Sequence, residues 1–171
     1  VLFRSVGPAY PGRLDAAKLR AIFHRVETAL RTERTEERVP LDMDSLDIDH
    51  VMPQAWTAHW PLADGIRVTS EEVAAASANR FTPDGMDARG ESILHRMEAI
   101  PRLGNLTLVH YGLNRSQQNF DFAAKRKALF HHSKLHLNRQ LMQCDIWDES
   151  SIAARGEGLA RVALTIWPGP L

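Results

Sequence analysis

Two short stretches of this chain carry a strand pattern, and they lie far apart in the sequence. In the first, Leu46, Ile48, His50 and Met52 alternate along Leu46-Asp-Ile-Asp-His50-Val-Met-Pro53. Pro53 ends it, because proline cannot donate a ladder hydrogen bond. The second is Gly104-Asn-Leu-Thr-Leu-Val109, stopped near Gly112. Most other patterned segments have helical spacing, so the chain is expected to be α+β, mainly helical, with two short antiparallel strands surrounded by helices.

The helical segments follow from cap and stripe. After Pro8 and Pro11, Asp15 can cap a helix bearing Leu19, Ile22, Phe23, Val26 and Leu30. The charged stretch Thr32 to Asp44, with Pro40, reads as a connector. Gln54 to Val68, with Trp56, Trp60 and Pro61, reads as an ordered loop. Thr69 and Glu72 make a capping box for a helix to Asn79, and Pro83-Asp84-Gly85 a turn. Ile93, Leu94, Met97 and Ile100 mark a helix stopped by Pro101. Phe122 to Phe130 is a short basic helix, and Ser151 to Trp167 a final one before Pro168-Gly-Pro170.

With 171 residues, one domain is the expected count, spanning 1–171 with a motif core at about 46–130 and the last helix at about 151–167. The valine start suggests a piece of a longer protein. Lysine plus arginine balance aspartate plus glutamate at 21 each, so the whole molecule exerts no general pull on polyphosphate. Charge is distributed unevenly, however. From Arg102 to Arg139, seven lysines and arginines stand against Asp121 as the single acid. In that run Arg115, Lys125, Arg126 and Lys134 are the candidate contacts to nucleic acid, although a charge run taken alone is most often a solvated face.

Cys144 is the single cysteine, which excludes an internal disulfide and a zinc ribbon. No structural zinc is expected, and any metal must use oxygen and imidazole ligands. No apolar run is long enough to cross a bilayer, so a cytoplasmic protein without membrane association is expected. The absence of a Gly-x-x-x-x-Gly-Lys-Ser/Thr loop argues against P-loop nucleotide hydrolysis.

Chemistry concentrates at the end of the first strand. Phosphodiester hydrolysis needs a base to deprotonate water and a hard cation to neutralise charge on phosphate and leaving oxygen. Asp49 and His50 are adjacent, so their side chains diverge. One can hold metal while the other, His50, serves as catalytic base. Asn114 supplies a neutral amide oxygen, and with Asp49 this set suits one Mg2+ or Mn2+ ion. Asn105 is grouped with His50 as a catalytic candidate, acting by tying the intervening loop and holding His50 in orientation. Each residue alone has an ordinary structural explanation. The ordered combination of strand, Asp-His, proline, loop, Gly-Asn strand, second asparagine and basic helix is what points to catalysis.

Asp47-Ile-Asp49-His50-Val-Met-Pro53-Gln54, Leu103-Gly-Asn-Leu-Thr-Leu108, Leu113-Asn114, Asn119-Phe120, Lys125-Arg126 and His132-Ser133 resemble the DUF1524 family, the HNH-type nuclease domain of GmrSD-like type IV restriction proteins. Trp147-Asp-Glu, Ile152, Arg155 and Ile166-Trp167 extend the resemblance to roughly residues 46–167. It implies a ββα-metal core, His50 as base, one divalent ion on Asp49 and Asn114, and products with a 5′ phosphate and a 3′ hydroxyl. It also implies DNA as substrate, a place in the C-terminal part of the longer protein, and an upstream ParB-like DUF262 domain as partner. His110-Tyr111-Gly112 departs from the more polar stretch typical of similar sequences. Two other readings stay open: a nucleic-acid-binding module that has lost turnover, and an RNA-directed toxin nuclease.

Overall fold

Asp15 starts the first helix, α1 (Ala16–Leu30), by accepting from the Lys18 backbone N–H at 2.8 Å. This satisfies one of the orphan donors at a helix start. The computed structural model describes residues 15–31, 40–81, 86–117 and 120–169. Pro8, Pro11, most of the charged connector (32–39), the Pro83-Asp84-Gly85 turn, Asn119 and Pro170 lie outside them.

The two expected strands pair with each other. β1 (Leu46–His50) runs antiparallel to β2 (Leu106–His110), with Leu46 opposite His110 and His50 opposite Leu106. β1 ends at His50, earlier than the alternation up to Met52 suggests. The reason is Asn105. Its side chain accepts from Met52 N and donates to Met52 O, both at 2.9 Å, and its carbonyl accepts from Val51 N at 2.9 Å. Val51 thus still bonds in register with the ladder, and from Met52 on the backbone is held by the Asn105 side chain instead. β2 starts late for a similar reason, because Leu103–Asn105 close into a single 3-10 turn.

Four more helices arise near their signals, and a fifth, α4, arises without one. Thr69 and Glu72 form both halves of a capping box on α2 (Ser70–Ala78). Asp87 caps α3 (Ala88–Ala99). α4 (Tyr111–Gln117) leaves β2 directly, with Gly112 inside it. The strand stops before Gly112 as expected, and the chain coils at once into a helix packed on both strands. Asp121 caps α5 (Phe122–His132), and Asp148 caps α7 (Glu149–Ile166).

The remaining helix, α6 (His136–Gln143), has no side-chain cap of its own, since Leu135 occupies the cap position. Its start is held from α1. The fully buried Glu27 carboxylate accepts from His136 N at 3.1 Å and Leu137 N at 2.9 Å. A negative charge at a helix N-terminus is favourable, and here it bridges two helices distant in sequence.

Buried side chains form two clusters. Val51, Met52, Trp56, Trp60, Phe122 and Trp147 belong to one; Leu19, Phe23, Leu106, Leu108, Leu137 and Leu159 belong to the other. The long loop after β1 is ordered by buried Arg96, whose Nη1 donates to the carbonyls of Trp60 at 2.9 Å and Pro61 at 2.7 Å. Its Nε pairs with Glu149, and its guanidinium lies over Trp56. No described helix is long and apolar enough to cross a membrane.

α7 presses on the turn that precedes β2. Buried Arg155 donates to the carbonyls of Gly104 at 2.7 Å and Leu106 at 2.6 Å. Burial lowers its pKa to about 10, which still leaves it charged at neutral pH. At Gly104 a Cβ would stand 2.0 Å from the Ile152 carbonyl oxygen and 2.9 Å from Gly156 N. Both are helix backbone, so neither can turn aside. Gly104→Ala should therefore destabilise the domain by about 3 kcal/mol or more through overpacking. Thermal or urea unfolding measures this, and a melt equal to wild type would contradict the close approach.

Candidate active site

β1 delivers Asp49 and His50 in succession, and neighbouring residues of a strand face opposite ways. The register sets Asp49 across from Thr107 and His50 across from Leu106. The expected divergence of the two side chains is thus present.

Asp49 opens into a cleft that it lines together with Val109, Leu113, Asn114, Lys125, Ala128 and Leu129. Helix α4 brings Asn114 to this wall, so the two oxygen donors separated by most of the motif core share one recess. His50 is not among the residues lining it. It is half-buried, and its Nε2 is buried without a hydrogen-bond partner. Buried polar atoms are nearly always paired, so an orphaned ring nitrogen calls for a ligand, water or function.

Lys125 is the residue whose placement departs most from expectation. It is 3% exposed, with Nζ 3.0 Å from Asp49 Oδ2 and 2.7 Å from the His50 carbonyl oxygen. A surface cation for phosphate is therefore not what this lysine provides; that expectation is corrected to an internal ion pair. The sequence does carry the signal. Phe122, Lys125, Ala128 and Leu129 recur at helical spacing on one stripe, and all four are buried. Arg126 is half-buried, with Nη1 on the Cys144 carbonyl at 2.6 Å and on Asp145 at 2.7 Å. Arg115 is exposed, with its guanidinium over the Tyr111 ring at 5.8 Å, and Lys134 is exposed. Exposed Lys127 belongs to the same basic run.

Asn105 is fully buried and does not line the Asp49 cleft. Its Oδ1 accepts from Met52 N and from Trp147 Nε1 at 3.0 Å, and its Nδ2 donates to Met52 O and Ile100 O. With its amide fully engaged, it cannot also contact substrate. As expected of it, the side chain ties the loop past His50, at Met52, so among the catalytic candidates Asn105 acts by positioning and not by contact with substrate. Trp147 completes this clamp; its sequence position gave no sign of that contact.

The electrostatics follow from burial around one cation. Burial pushes the Asp49 carboxyl up, and Lys125 pulls against that by charge and hydrogen bond. Burial, then the Lys125 charge, lowers His50 to about 4, so the ring is neutral at physiological pH. The unfolded chain takes up a proton at His50 as pH falls below about 6.5, while the folded chain resists until about 4. Stability from this residue is thus complete above the unfolded value and is lost by about pH 4, on the order of 3 kcal/mol. In metal-free buffer, His50→Gln should flatten the fall in melting temperature between pH 6.5 and 4 relative to wild type. Parallel pH profiles for the two proteins would refute the burial of a neutral ring.

The donor chemistry suits a hard divalent ion. Asp49 and Asn114, each with a side-chain oxygen, line one recess whose other walls are largely aliphatic (Val109, Leu113, Ala128 and Leu129), and the Lys125 ammonium already sits on the Asp49 carboxylate. Among the described residues no group of three or more His, Cys, Asp or Glu could hold a metal, so such an ion would take its remaining oxygens from water or phosphate.

Comparison with curated proteins and with solved structures returned no match. A family model described as the C-terminal domain of GmrSD restriction endonucleases matches residues 7–162. That span takes in both strands, the Asp49–Asn114 cleft, the Asn105 clamp and most of α7, and the chain therefore belongs to the GmrSD restriction endonuclease C-terminal domain family, and so to the restriction nucleases.

Proposed function

We propose that this domain is a DNA endonuclease of the HNH, or ββα-metal, type, with His50 as general base and one Mg2+ or Mn2+ ion held by Asp49 and Asn114. The observation that carries the reading is the convergence of Asp49 and Asn114 on one cleft, with the next residue of the strand, His50, carrying an unpartnered buried ring nitrogen. The succession of β1, β2 and α4 supplies the ββα frame. When bound, the ion would neutralise charge on the phosphate and the departing oxygen.

The chain's own residues do the rest. A neutral His50 can take a proton from water as the water oxygen bonds to phosphorus and the bond from phosphorus to the 3′ oxygen breaks. A 5′ phosphate and a 3′ hydroxyl result. Asn105 keeps the base in place by fixing Met52 on both its backbone groups. Its low proton affinity makes His50 a modest base, and a rigid approach to water compensates. Recognition of the target would fall to an upstream DUF262 domain.

His50→Ala should lower plasmid cleavage by about 10²-fold or more while leaving DNA binding intact, as loss of a general base does. Asp49→Ala and Asn114→Ala should each raise the Mg2+ concentration needed for cleavage. Plasmid and RNA cleavage with Mg2+ or Mn2+ tests all three variants. Activity unchanged in His50→Ala would remove the base assignment, cleavage of RNA alone would favour the toxin reading, and no cleavage of either would favour a binding module.

Arg115 is the exposed guanidinium on the same short helix as Asn114, and a phosphate contact there would position DNA without reading bases. Arg115→Ala should then reduce the salt slope of duplex binding by about one unit. Titrations at several salt concentrations decide this; an unchanged slope places the DNA path elsewhere.

A further inference from the structure

We propose that Lys125 is a positioning residue that acts as the resident counter-cation of Asp49: it holds the end of β1 together and competes with the divalent ion for the carboxylate. This rests on the reading of Asp49 as an ion ligand.

Three observations converge on Lys125. Its place on the buried stripe of α5 commits the side chain to the interior, where an ammonium persists only if paired. The partners it meets are Asp49 Oδ2 and the His50 carbonyl, so one charge ties together the carboxylate and the backbone that carries the base. Lys125 also lines the cleft that holds Asp49 and Asn114, so a divalent ion entering there meets a carboxylate already neutralised and a positive charge beside it. Like charges on one site oppose each other. The ion must therefore bind weakly to the free protein, and phosphate oxygens arriving with the substrate would make up the difference. A metal-free carboxylate, meanwhile, never stands buried without a counter-charge.

The experiment is a calorimetric titration of Mn2+ into metal-free wild type, Lys125→Met, Lys125→Gln and Asp49→Ala, with melting temperatures recorded with and without Mn2+. Both Lys125 variants should bind Mn2+ at least about tenfold more tightly than wild type, the scale on which one neighbouring charge moves an ionic equilibrium. Without metal they should melt lower than wild type, and Mn2+ should raise their melting temperature more. Lys125→Gln keeps a donor for the His50 carbonyl and removes the charge alone, so it carries the comparison if Lys125→Met fails to fold. Binding to Lys125→Gln with none measurable in wild type also supports the competition. Equal or weaker affinity in the Lys125 variants, with binding lost in Asp49→Ala, overturns the counter-cation and leaves Asp49 as ligand. Mn2+ binding that survives Asp49→Ala, or is missing from every protein, overturns both.

Discussion

One buried amide organises the centre of this domain. Asn105 accepts from Met52 N and Trp147 Nε1 and donates to Met52 O and Ile100 O. It thus joins the exit of β1, the end of α3, the entry to β2 and the approach to α7. A buried amide that lost these partners would carry a desolvation penalty of about 1–3 kcal/mol for each group left unmade. The alternatives to this arrangement are therefore expensive, and the position of His50 inherits that rigidity. Gly104, the residue before, extends the same logic: with no side chain it lets α7 backbone pack directly on the turn.

Charge is used in the interior in a similar way. Glu27, Arg96, Lys125 and Arg155 are all buried, and each reaches backbone groups of a segment remote from its own helix. Glu27 starts α6, Arg96 holds the loop after β1, Arg155 holds the turn before β2, and Lys125 holds the end of β1. Such groups add little net stability, since desolvation offsets much of the attraction, but an arrangement that breaks one leaves a bare buried charge. The result is one specific packing of short elements around a sheet of two strands.

The legibility of these features in sequence divides by range. Strands, α1, the capping box of α2 and the long α7 are encoded by neighbours within a few residues, and they were readable as alternation, stripe and cap. α6 was not, because its cap comes from Glu27 on α1 and its own Leu135 gives no start signal. α4 was not, because Gly112 is a breaker by intrinsic propensity and only packing against both strands outweighs it. At the site, residue types and order brought Asp49 and Asn114 into one cleft as read from the chain. Lys125 lies inside because its spacing from Phe122 and Leu129 puts it on the buried stripe, which outranks the charge of the run around it.

That placement has a physical consequence for the site. A basic run next to a cleft suggests an outer surface for phosphate, yet helical geometry divides Lys125, Arg126 and Lys127 among an interior ion pair, a brace on the chain around Cys144 and Asp145, and solvent. Only cations of the last kind are available to a polyanion without first breaking a bond inside the protein. With overall charge balanced, any attraction for a polyanion must come from exposed cations, Arg115 and Lys127 among them. An isolated domain of this kind would hold DNA weakly and in a salt-sensitive way. Tight engagement of a polyanion would then rest on close contacts and not on long-range attraction.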